Sequence, residues 1–103
     1  MKVEWLYEAK QEYLALLRYH MNQVSSSSAH SFAELILSSV ENLAVFPESG
    51  VLRTDTAMGR LGFRALFIGK YACIYRVTED TVLIYHLVDA RTNYIYRIFG
   101  IEE

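Results

Sequence analysis

The side chains able to do chemistry gather late in this chain, where His86, Asp89, Arg91, Tyr94, Tyr96 and Arg97 follow one another closely. An imidazole near a carboxylate can serve as an acid or base at neutral pH. Arginines interleaved with tyrosines suit stacking and phosphate contact. Strict alternation along Thr81–Val88 would put His86 with Val82, Ile84 and Val88 on one face and Asp89 at the end of the other, which separates the two groups. The same stretch is also a packing pattern: Tyr94, Ile95, Ile98 and Phe99 have helical spacing, so a short closing helix would leave Arg91 and Arg97 in solvent. Pairing of Asp89 with Arg64 or Arg91 would fix the loop without chemistry. His20 and His30 lie far from His86 in sequence and share no metal-ligand spacing with it. There is no glycine-rich phosphate loop, no cysteine pair and no His-Glu-x-x-His helix, so neither a metal nor a cofactor is expected. The lone Cys73, set between Ala72 and Ile74, reads as a buried structural thiol.

The elements that must position these residues follow from periodicity. Lys2–Trp5 alternates like a half-buried edge strand. From Leu6 the period changes, and Leu6, Ala9, Tyr13, Leu17, Met21 and Val24 make one face of a helix over about Tyr7 to Gln23, with Glu8, Lys10, Gln11, Glu12 and Arg18 towards water. Ser25–Ser28 breaks this helix and caps the next, whose apolar face is Ala29, Phe32, Ala33, Ile36, Val40, Leu43 and Ala44, and which Pro47 ends. Such a short break makes an antiparallel helical hairpin. After the turn Pro47–Gly50, Val51–Gly62 has no clear period and reads as a connecting loop. Phe63–Ile68, Ala72–Thr78 and Thr81–Val88 are rich in β-branched and aromatic residues and joined by short turns, which predicts an antiparallel meander. The fold class is therefore α+β: an N-terminal strand, a helical hairpin, a three-stranded antiparallel meander and a short C-terminal tail.

Composition bounds the rest. A chain of 103 residues with 52% hydrophobic and 21% charged side chains is long enough for one core, so residues 1–103 are expected to form a single domain. No apolar run approaches the roughly 18–20 residues that span a bilayer, and no apolar leader opens the sequence, so a cytoplasmic location without membrane contact is expected. A net charge of -2 and a pI of about 5.9 disfavour a general nucleic-acid binder.

The order of these elements and several local words resemble the RelE/ParE family of bacterial toxins across nearly the whole chain. The words are Phe46-Pro47-Glu48-Ser49-Gly50, Gly62-Phe63-Arg64-Ala65-Leu66, Tyr71-Ala72-Cys73-Ile74-Tyr75-Arg76-Val77, and Val82-Leu83-Ile84-Tyr85-His86-Leu87-Val88-Asp89-Ala90-Arg91. The resemblance implies the toxin half of a type II toxin–antitoxin system, wrapped and silenced by the flexible part of a cognate antitoxin in a toxin–antitoxin hetero-oligomer. Leu14, Leu35 and Leu37 lie off the main apolar faces and are the candidate antitoxin contacts; the other reading is that they complete a broad core face.

Two activities compete within that family. RelE-like members cut messenger RNA on the ribosome, and ParE-like members inhibit DNA gyrase. Ribonuclease members commonly carry an arginine after the aromatic position matched by Tyr71, where this chain has Ala72, and the histidine often found near the position of Asp89 is absent. Arg64 and Arg91 match retained basic positions but make an incomplete nuclease, since metal-free RNA cleavage needs a base, an acid and cations. The resemblance thus implies a ParE-like, growth-inhibiting toxin of the plasmid-stabilisation type that acts on gyrase by protein contact rather than as an enzyme. Arg64, Asp89, Arg91, Tyr94 and Arg97 are the expected target contacts, with no catalytic residue assigned. The alternatives are a ribosome-dependent endoribonuclease acting on messenger RNA, and a non-toxic antitoxin-binding or regulatory module.

Overall fold

In the computed structural model, residues 1–100 are described; residues 101–103 of the expected domain lie outside the described residues. The elements run β1 (Lys2–Trp5), α1 (Tyr7–Tyr19), α2 (Ser26–Glu41), α3 (Ala57–Arg60), β2 (Arg64–Ile68), β3 (Tyr71–Val77), β4 (Thr81–Asp89) and α4 (Tyr94–Phe99). They form a four-stranded sheet in the order β1-β4-β3-β2. The meander β2-β3-β4 is antiparallel as expected, and β1 is an edge strand that pairs parallel to the first half of β4.

Apolar periodicity decides which faces close. On one side of the sheet, Ala9 of α1 and Phe32, Ile36 and Val40 of α2 pack with Leu43 against Ile68, Tyr71, Cys73, Tyr75, Val82, Ile84 and Leu87. Each fully buried isoleucine or leucine there is worth about 1.5–3 kcal/mol relative to exposure. The other side is covered more thinly: Met58 and Tyr94 pack with Ala65, Ala72, Ile74 and Val88, flanked by Phe63, Ile95, Ile98 and Phe99.

Three local features depart from the sequence expectations. Met21 and Val24, assigned to the core face, are exposed. The reason is a π-helical turn over His20–Val24, closed by Ser25 N–H donating to His20 O; its wider winding carries both side chains off the α1 stripe. Ser25 then caps α2, its Oγ accepting from Ser28 N–H at 3.0 Å, as the serine run predicts. The supposed loop Val51–Gly62 contains α3, capped by Thr56, and Val51 bridges Ala65 on β2. Gly59 is required there, because a Cβ would stand 1.8 Å from the carbonyl oxygen of Arg53.

The third departure is a register shift between β3 and β4. Ile74 faces His86 while Tyr75 faces Ile84, so Tyr85 is an extra residue on β4. Strict alternation fails at that point: Val82, Ile84 and Leu87 join the helix-side core, and Val88 joins the opposite one.

Candidate functional site

Beyond the bulge, β4 ends in a polar turn. The Asp89 carboxylate accepts three hydrogen bonds from Arg91: from its backbone N–H at 2.9 Å, from Nε at 3.0 Å and from Nη2 at 2.6 Å. These bonds, side-chain first and backbone second, hold the Asp89 carboxyl far below the usual carboxylate range, and the same pairing raises Arg91. Of the two partners offered by the sequence for Asp89, Arg91 is the one realised. Thr92 Oγ1 donates to Asp89 O at 2.7 Å and accepts from Arg97 Nη2 at 2.9 Å, so α4 is tied to the same turn. The β2–β3 turn supports it from beside, with Ala90 N–H donating to Lys70 O at 2.8 Å and Tyr71 standing opposite Asp89 in the ladder.

Two of the expected contact residues lie elsewhere. Arg64 pairs with Tyr75 at the far end of β2, about 13 Å along the strands from the Tyr71–Asp89 pair. Its Nη1 donates to the carbonyls of Gly50 at 3.0 Å and Glu48 at 3.4 Å, so it ties down the Pro47–Gly50 turn. Tyr75 braces that turn too, its hydroxyl donating to Pro47 O and accepting from Gly50 N–H, both at 2.8 Å. Tyr94 opens the predicted closing helix but points inward, only 9% exposed, and burial raises its hydroxyl pKa. Asp89, Arg91 and Arg97 remain together at the surface, and the exposed Tyr96 lies on the same helix as Arg97.

Sequence periodicity misses two neighbours of this turn. Lys70 and Tyr19 both act electrostatically on the cluster, Lys70 on Asp89 and Tyr19 on Arg91. Glu12, expected in water, instead faces β4: its carboxylate receives His86 Nδ1–H at 3.1 and 3.2 Å and Leu87 N–H at 3.0 Å. The signal was its place between Ala9 and Leu16, inside the apolar stripe of α1. Glu12, Asp89, Thr92 and Arg97 line one cleft. Beside Asp89, Tyr71 is held by His20, whose Nε2 lies 2.8 Å from the tyrosine hydroxyl and whose Nδ1 lies 2.8 Å from Ser28 Oγ.

The leucines also divide. Leu14 and Leu37 line an apolar groove of about 540 Å³ with Val3, Glu4, Trp5, Lys10 and Tyr13, residues of β1, α1 and α2. Leu35 lies on another face of α2, towards Gly69. Cys73 is fully buried, as expected, and burial pushes its thiol up to about 12. Among the described residues no three His, Cys, Asp or Glu side chains could hold a metal ion, and no helix is long and apolar enough to cross a membrane.

With this geometry in place, comparison with known proteins shows the family. The family model described as the ParE toxin of the type II toxin–antitoxin system parDE matches residues 3–94. The chain belongs to the ParE toxin family. A solved structure from P. aeruginosa, titled as its chromosomal ParDE toxin–antitoxin system, is similar in fold, with a TM-score of 0.73 over 88% of this chain and 97% of that one at 17% identity. No curated protein matches. The ParE fold thus agrees with the expected architecture of strand, helical hairpin and meander. It places the Asp89–Arg97 turn at one end of the sheet and the β1 groove along one edge.

Proposed function

We propose that this ParE-family toxin inhibits DNA gyrase through protein contact made by the Asp89–Arg91 turn with Arg97, and that a cognate antitoxin neutralises it through the groove lined by Leu14, Leu37 and Trp5. Membership of the ParE family supports the target class. The observation that carries the contact reading is the balanced charge of Arg91, whose Nε–Nη2 edge is paired with the Asp89 carboxylate. A guanidinium held in that way is a rigid, oriented surface group; a phosphate-cleaving site needs cations that meet the developing charge of the phosphorane. The apolar groove beside an open strand edge suits an extended or helical partner segment.

In a gyrase supercoiling assay, the purified toxin is expected to block supercoiling, and addition of the antitoxin to restore it. Normal supercoiling at large molar excess of toxin, together with cleaved message on loaded ribosomes, would replace this reading with the ribonuclease one. Normal supercoiling with intact message and unaffected growth on induction would leave the antitoxin-binding module.

A further inference from the structure

Glu12 does something its sequence position does not announce. β1 pairs with β4 only as far as Trp5 opposite Ile84, where Leu6 N–H donates to Ile84 O. Past that point β4 has no strand on its outer side among the described residues. The extra residue Tyr85 also turns the following backbone, leaving Leu87 N–H directed off the ladder. An unpaired, partly buried N–H is costly. The Glu12 carboxylate meets it at 3.0 Å and receives His86 Nδ1–H as well. A side chain from α1 thus supplies the acceptor that a neighbouring strand would have provided.

We propose that Glu12 is a positioning residue: by standing in for the missing strand beside Leu87, it sets the geometry of the turn that begins two residues later at Asp89. Its carboxylate is itself half-buried, and its desolvation is offset by the hydrogen bonds it accepts. The other charged groups facing the same cleft are Asp89 from β4 and Arg97 from α4. Arg97 is bonded to Thr92, so the link from Glu12 to the contact turn runs along the β4 backbone. Glutamine at this position keeps an acceptor of the same reach for Leu87 N–H. Aspartate keeps the charge but is one methylene too short. Alanine keeps neither.

The consequence for target inhibition rests on the gyrase reading above, so the experiment carries one readout that does not. Amide exchange at Leu87 and Arg91 is followed by NMR in Glu12→Ala, Glu12→Gln and, as a charge control, Glu8→Ala on the exposed face of α1, alongside supercoiling inhibition and thermal melting. Glu12→Ala is expected to speed exchange at both amides and to weaken inhibition, each about tenfold, the scale of a lost hydrogen bond to a charged group. Glu12→Gln should recover most of both, and Glu8→Ala should change neither. If Glu12→Ala does not fold, Glu12→Asp takes its place with the same expectations. Wild-type exchange at Arg91 in the alanine variant would overturn the proposal, as would equal impairment of the glutamine and alanine variants. Should the wild-type toxin fail to inhibit gyrase, the target reading falls and the Arg91 exchange rate alone decides the role of Glu12.

Discussion

The groove along β1 and the turn after β4 are built by opposite means. Val3, Trp5 and Tyr13 pack against the rim of the main core, and the more exposed Leu14 and Leu37 of the two helices complete the groove beside them. The polar face of the turn is instead held by side-chain hydrogen bonds: Arg91 to Asp89, Thr92 to Asp89 O, Arg97 to Thr92 and Glu12 to Leu87 N–H. A surface made by packing fails when the fold fails, whereas a surface made by local bonds can be disabled while the fold survives.

That contrast can be broken most severely from below. Ile36→Ala, at a fully buried site shared by both helices and the sheet, is expected to cost about 3–4 kcal/mol in denaturant unfolding and to weaken antitoxin binding and target inhibition together. Tyr75→Phe removes a hydroxyl that bridges Pro47 O and Gly50 N–H in a buried setting. A loss of about 2 kcal/mol in the same measurement is expected, with the Asp89–Arg97 turn at the other end of the sheet unaffected.

Finer tests separate the two surfaces. Leu37→Glu should lower antitoxin affinity by about a hundredfold in titration calorimetry, because a charge would be desolvated in an apolar groove, yet leave supercoiling inhibition intact. Arg91→Ala should do the reverse, reducing inhibition about tenfold with an unchanged melting temperature and antitoxin affinity. The smallest expected effect is one of pH. The Asp89 carboxyl is depressed in the folded protein, so its contribution is complete above its unfolded value and fades only as pH falls through the lower folded one. Its carboxyl carbon NMR shift should therefore stay at the charged value from pH 8 to below the ordinary 3.8.

Much of the scaffold is legible in the residues themselves. The α2 stripe, Ser25 as a cap, the stop at Pro47 and the three meander strands follow from spacing that burial enforces. What periodicity could not carry was any place where the period changes within an element. The π-helical turn moved Met21 and Val24 outward, and the extra residue Tyr85 moved Leu87 and Val88 to opposite cores. Glu12 departs from expectation for a related reason: composition assigns a glutamate to water, and the open strand edge explains why it turns inward. Residue type groups Asp89, Arg91 and Arg97, which do stand together in the turn after β4, whereas strand register sets Arg64 apart from them. Tyr94, expected both as a contact and as part of a packing helix, is buried in the second core.

The parallel pairing of β1 with Thr81–Ile84 has a consequence in time as well as space. Closing it joins parts of the chain separated by nearly the whole fold, the slow kind of contact in folding. During translation, the first strand made must wait for the last one before the sheet can be completed. The groove lined by Val3 and Trp5 is equally late, because its wall does not exist until then. On the proposed antitoxin reading, a partner that recognises this groove would meet a finished protein and not a nascent chain.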